Sequence, residues 1–211
     1  MAAMTSGPAC GLTCMTTPPA LDLAPAAAET ARVVAAVRND QLTAPTPCTG
    51  TSVAALLDHV HGLAVGLRLA AEKQPTGAPA ASAEQLPADW RTRIPRELDA
   101  LVAAWREPAA WEGTAEPGGV QLPAAWAGRV ALNEVLVHGW DLAVAIGEHY
   151  DADPVAARAC LDHAAEFAAA VPGARDTIYG PEVPVPADAP VFDRLLGVTG
   201  RDPGWTPPVS G

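Results

Sequence analysis

The sequence predicts an all-α protein: a bundle of about four long helices, with shorter helices attached and a Pro-rich C-terminal segment. Alanine is abundant while aromatics make up only 5% of the chain, a bias toward helix over sheet. The 22 prolines are spaced so that they leave long windows nearly free of the residue that helix interiors tolerate least. Inside those windows the aliphatic residues recur every three or four positions, the period of one helix face.

The first window, residues 26–44, follows Leu21, Leu23 and Pro25, sets Val33, Val34 and Val37 on one side, and has Asn39–Asp40 as a closing signal. The second, 51–74, follows Pro47 and Cys48, with Thr51 or Ser52 as its N-cap. Leu56, Leu57, Val60, Leu63, Ala64 and Leu67 give it a continuous apolar face. A Pro/Ala/Gly-rich loop covers 75–88. The third helix, 90–107, shows Leu98, Leu101, Val102 and Trp105 at helical spacing, with Pro95 as a boundary or kink. Residues 108–122, holding Trp111 and Gly118–Gly119, read as a turn-rich connection. The fourth helix spans 123–147, with Pro123 at its first position and Gly147 as its stop. The fifth, 154–171, has Asp153 as N-cap, Pro154 in first position and Pro172–Gly173 as its end. PEVPVPADAP (181–190) is extended, and a last short helix over 188–198 precedes GRDPGWTPP (200–208). No strand is demanded, although 181–186 could pair briefly. The expected organisation is a loose leader over 1–20, a helical-bundle domain over 21–175, and a Pro-rich segment over 176–211 whose short helix packs on the bundle.

A length of 211 residues and a hydrophobic content of 49% suit one domain with a sizeable core. The formal net charge of −11 disfavours phosphate-backbone recognition and docking on an anionic membrane, both of which need basic patches. No apolar run approaches the roughly 20 residues of a membrane span. The N-terminal residues lack the basic start and apolar block of a signal peptide, so a cytoplasmic protein is expected. Cys10, Cys14, Cys48 and Cys160 are then thiols rather than a disulfide framework. Cys48 precedes a helix N-terminus, which favours a thiolate. Its expected role is nonetheless that of a small packing residue, since free cysteines are often buried. Phosphate-binding glycine loops, GxSxG, HExxH and CxxC are all missing from the sequence.

The segment NEVLVHGWDLAVAIG (133–147) carries the chemistry. Glu134 and His138 stand one turn apart and Asp141 follows by three, so all three share a stripe flanked by Ala127, Val130, Ala131 and Ala145. Glu134 and His138 suit a divalent ion such as zinc, nickel, manganese or iron. Such pairs are also common on solvated helix faces, and spacing alone leaves both readings open. A further ligand must come from another helix. LLDHVHG (56–62) offers His59, three after Leu56 and four before Leu63 on the apolar stripe. His61 is rotated from it by about 200°, at about 100° per residue, so the pattern favours His59. Two imidazoles and one carboxylate would leave positions open for water or substrate. Asp141 or Asp58 could orient an imidazole from behind. His149 falls in a loop and His163 is structural or exposed. Trp126 and Trp140 belong to a pocket wall or the core, and Gly139 permits a close approach by a neighbouring helix or a ligand.

PTPC (45–48), LLDHVHG, NEVLVHGWDLAVAIG and the C-terminal VPVPADAPVFDRLLGVTGRDPGW (183–205) together resemble the DinB/YfiT-like metalloproteins. The resemblance covers residues 21–208 and is to the actinobacterial branch related to mycothiol-dependent maleylpyruvate isomerase. It implies a four-helix bundle with an open divalent metal site, with ligands at His59, Glu134 and His138, and a substrate cavity beside it. It also implies mycothiol, a low-molecular-weight thiol, as cofactor or co-substrate in some members. Relatives carry an acidic residue and a tryptophan where this chain has Gly50 and Thr51, so the resemblance does not extend to maleylpyruvate as substrate. The expected function is a metal-dependent isomerase or thiol transferase, with zinc first among the metals, acting on a small metabolite. One alternative is a specialised biosynthetic enzyme with a repurposed, metal-free cavity, where His59, Glu134 and His138 do acid–base work. Another is a non-enzymatic metal- or ligand-binding stress protein. The expected partners are a small-molecule substrate and a thiol, with no nucleic acid or membrane, for a monomer or homodimer.

Overall fold

A computed structural model describes residues 21–77, 81–170 and 178–208. The leader over 1–20 with Cys10 and Cys14, and the expected Pro172–Gly173 helix end, lie outside the described residues. The helices are α1 (Ala24–Ala36), α2 (Val53–Ala71), α3 (Trp90–Arg106), α4 (Ala124–Ile146), α5 (Pro154–Ala170) and α6 (Val191–Val198). Helices α1 and α2 each pack against both α3 and α4, which closes a four-helix ring; α5 lies on α4, and α6 on α5. Val33, Leu57, Ile94, Leu98, Leu101, Leu132, Leu136 and Leu142 fill the ring and are fully buried.

Local chemistry sets most helix ends where the sequence places them. Ser52 caps α2 by accepting from the Ala55 amide at 3.3 Å. Asp153 Oδ1 accepts from the Ala156 amide at 2.7 Å at the start of α5. Gly147 ends α4 in the left-handed region, φ 76°, where it releases the chain without a Cβ penalty.

Several expectations need correction. Helix α1 stops at Ala36, well short of 44, because Val37 is already extended. Asn39–Gln41 instead forms a 3-10 turn, in which Gln41 Oε1 accepts from the Arg38 amide at 2.9 Å. Pro95 neither ends nor bounds α3, which runs through it and loses only the bond to the Arg91 carbonyl. Residues 108–122 contain short 3-10 turns and a small antiparallel ladder, β1 (Thr114–Ala115) with β2 (Leu122–Pro123). Pro123 belongs to that ladder and stands just before α4 as its cap. In the 181–186 stretch the Val183 amide bonds the Gly197 carbonyl at 3.0 Å, so this extended segment packs on α6. Helix α2, 19 residues long with a mean hydropathy of 1.3, is long and apolar enough to cross a membrane by length and composition, contrary to the sequence expectation. Its apolar face is spent inside the ring, against α3 and α4.

Gly139 holds α4 close to α1. A Cβ there would collide with Thr30 Oγ1 and Tyr150 OH. Thr30 is fully buried and its hydroxyl donates to the Val135 carbonyl at 3.0 Å. The close approach is therefore to a helix, not to a ligand. Trp140 is buried in the core, while Trp126 is half-buried with His163 edge-on at 5.3 Å. His163 is itself buried rather than exposed.

Candidate metal centre

Helices α2 and α4 bring His59, Glu134 and His138 together. Glu134 Oε2 lies 3.1 Å from His138 Nε2 and 4.0 Å from His59 Nε2. The two imidazoles meet edge to face at 4.9 Å between centroids. One donor atom from each residue falls within 4.8 Å of the others, a spacing that a single ion can bridge. His61 lines the same cavity and stands outside this trio.

Behind the trio lies a second layer. Asp141, fully buried, accepts from His138 Nδ1 at 2.9 Å, which leaves Nε2 directed at Glu134. Asp58 orients neither imidazole by hydrogen bond; its Oδ2 accepts from the Ser82 amide at 3.0 Å and ties down the loop after α2. Arg201 donates to Asp141 Oδ2 at 3.0 Å, to Asp141 Oδ1 at 3.4 Å and to the Thr199 carbonyl at 2.6 Å. Gly200, with φ 78° and no room for a Cβ against the Tyr179 carbonyl, turns the chain after α6 and aims Arg201 inward.

Cys48 packs against the core, as sequence reasoning expected, but it also belongs to the polar cluster. It is half-buried, and its thiol donates to Asp141 Oδ2 at 3.2 Å, accepts from Arg201 Nη2 at 3.4 Å and lies 3.9 Å from His138 Nδ1. A tight turn presents it: the Thr51 amide bonds the Cys48 carbonyl at 2.9 Å, and the Thr46 hydroxyl bonds the Thr51 carbonyl at 2.9 Å. Gly50 and Thr51 stand in this turn. Arg201 was missed altogether, although a core-facing Asp141 needs a cation and GRDPGW supplies one.

The charges are mutually consistent. Burial works against a charged His138, but its bonds to Asp141, Cys48 and Glu134 win and raise its pKa well above the ordinary value. Burial likewise opposes ionised Glu134 and Asp141, yet His138 and Arg201 hold both below the usual carboxylate range. Burial, then the His138 charge, lowers the His59 pKa, so this imidazole is neutral and has a lone pair to give. Two neutral-capable imidazoles and one carboxylate fit a divalent ion, which would replace the His138 proton. Cys48, His138 and Asp141 form a second candidate group. There Arg201 already bonds both Cys48 and Asp141, so its guanidinium fills the place of a cation.

The trio opens on a cavity of about 870 Å³ between α2, α4 and the connecting segments, with Arg201 at the same end.

The family model of the mycothiol maleylpyruvate isomerase N-terminal domain matches residues 23–143. Uncharacterised proteins from two strains of Mycobacterium tuberculosis, CDC 1551 and H37Rv, are each 33% identical over 182 residues. The match covers 81% of this chain and 91% of each of theirs. No solved structure matches the chain. With the helical ring, the trio and its cavity in place, the chain belongs to the family of the mycothiol maleylpyruvate isomerase N-terminal domain.

Proposed function

We propose that the protein is an enzyme that holds a divalent ion, zinc first, through His59, Glu134 and His138, and acts on a small metabolite as a thiol-dependent isomerase or transferase. The observation that carries this reading is the convergence of three donor groups within 4.8 Å at the mouth of a cavity. Mycothiol is the thiol that the family suggests. Bound there, the ion would supply Lewis acidity and favour the thiolate form of the thiol. The chain's own groups set the stage for it. Asp141 fixes the His138 ring with Nε2 forward, and Arg201 fixes Asp141. Leu63, Val65, Leu67 and Leu69 of α2 and Val130 and Val137 of α4 give the cavity an aliphatic share that limits water around the reacting groups. A reducing, cytoplasmic setting fits this chemistry and keeps Cys48 and Cys160 as thiols.

The test is metal content. Wild type purified with zinc should carry about one ion per chain, and His138→Ala should retain less than about a tenth of that, as loss of one of three protein ligands implies. Equal content in both would overturn the ligand assignment. Turnover that survives exhaustive chelation would instead assign His59, Glu134 and His138 to acid–base work.

A further inference from the structure

Helix α2 carries Gly62 and Gly66 one turn apart, and both line the cavity. Glycine is among the poorest residues for a helix interior, so its presence there calls for a reason in space or packing. The two glycines differ. A Cβ on Gly66 would lie 3.2 Å from Thr76 Oγ1, so Gly66 lets the loop after α2 settle onto the helix. A Cβ on Gly62 would meet nothing within 4 Å. Protein packing leaves that space free, and the space belongs to the cavity, three residues along α2 from His59.

The α4 wall supplies a second, independent sign. Asn133, next to Glu134, is 5% exposed, lines the cavity, and has an Oδ1 with no hydrogen-bond partner. Buried amides are almost always paired, and an unpaired one is destabilising until a partner arrives. Around these two positions Leu63, Leu67, Val130 and Val137 make the larger part of the wall aliphatic, while Asp58 and His61 add polar groups, Asp58 being held by the Ser82 amide. A volume of about 870 Å³ lies in the upper part of the range that holds drug-sized molecules, roughly 300–1,000 Å³. Arg201, the one Arg or Lys among the described lining residues, is already neutralised by Asp141.

Taking the metal centre proposed above as the place of the reactive end, we infer that the cavity accepts a bulky, largely apolar and uncharged body, lying in the gap at Gly62 and hydrogen-bonded to the Asn133 amide. Gly62 is then a specificity-determining residue and Asn133 a positioning residue.

N-phenyl-1-naphthylamine tests this: it is uncharged, carries a single N–H, and brightens in apolar surroundings. Zinc-loaded wild type should bind it saturably. Gly62→Leu should weaken binding at least tenfold, and Gly62→Ala should fall between. Both changes raise helix propensity, so melting curves should show no loss of fold. Asn133→Ala should weaken binding about threefold or more, as loss of one hydrogen bond implies. The analogue bearing a sulfonate, 8-anilinonaphthalene-1-sulfonate, should bind less tightly. Unchanged affinity in Gly62→Leu, absence of saturable binding to wild type, or tighter binding of the sulfonate would overturn the inference. Zinc content is measured on the same samples. Loss of zinc with an intact Gly62 effect would sink the metal reading alone, and retained zinc without a Gly62 effect would sink this one alone.

Discussion

Asp141 shows how much one side chain can organise. Its two oxygens serve His138, Arg201 and Cys48, and none of its surface reaches solvent. Removing one partner of a buried charge pair is far more damaging than the pair is stabilising, because the survivor stays charged and dry. Asp141→Asn should therefore cost about 3–5 kcal/mol in urea denaturation, the range for such broken pairs. A loss below about 1 kcal/mol, the scale of an exposed pair, would mean that Arg201 finds water instead. The sequence made this residue legible in part. Its place on the stripe with Glu134 and His138 follows from helical spacing alone. Its dependence on Cys48 and Arg201 does not, because neither lies on the same helix and no periodicity links them to it.

At the level of elements, α4 carries most of the design. It supplies Glu134, His138 and Asp141, and its Gly139 lets α1 approach closely enough for Thr30 to bond the Val135 carbonyl. A methyl at 139 has no flexible neighbour to displace, since Thr30 and Tyr150 are both buried. Gly139→Ala should lower stability by about 1–3 kcal/mol, as overpacking does, despite the better helix propensity of alanine. A rise in melting temperature would contradict the close packing. Element boundaries were legible where a cap is local, as at Ser52, Asp153 and Gly147. They were illegible where a distant partner decides. The β1–β2 ladder exists because two short segments on either side of a glycine turn meet, and the chain after α1 is held by Arg91, which donates to the Val37 carbonyl at 3.0 Å, and by Gln41, which donates to the Ile146 carbonyl at 3.1 Å.

Across the whole molecule, the charged cluster joins segments far apart in sequence, and its protonation links them. Asp141 has a lowered pKa in the fold, so its contribution is complete above the unfolded value of 3.8 and disappears as pH falls through the lowered one. His138 has a raised pKa, so in metal-free protein its contribution is complete below 6.5 and is lost as pH rises through the raised value. Urea midpoints of metal-free protein should therefore peak between these limits and fall on both sides. Zinc should remove the decline on the alkaline side, since an ion held as proposed would replace the His138 proton. A flat profile in metal-free protein would show that the cluster does not act as one unit.

Arg201 also sets an order of events during synthesis. It follows Asp141 by 60 residues. At about 5–20 residues per second, the ribosome needs roughly 3–12 s to make that interval. Once Ile146 has been added, the whole of α1 to α4 exists around a carboxylate whose counter-charge has not yet been made. The bundle can thus condense early, but its electrostatic keystone arrives late, and the newborn protein passes through an interval in which its most charged interior point is its least finished.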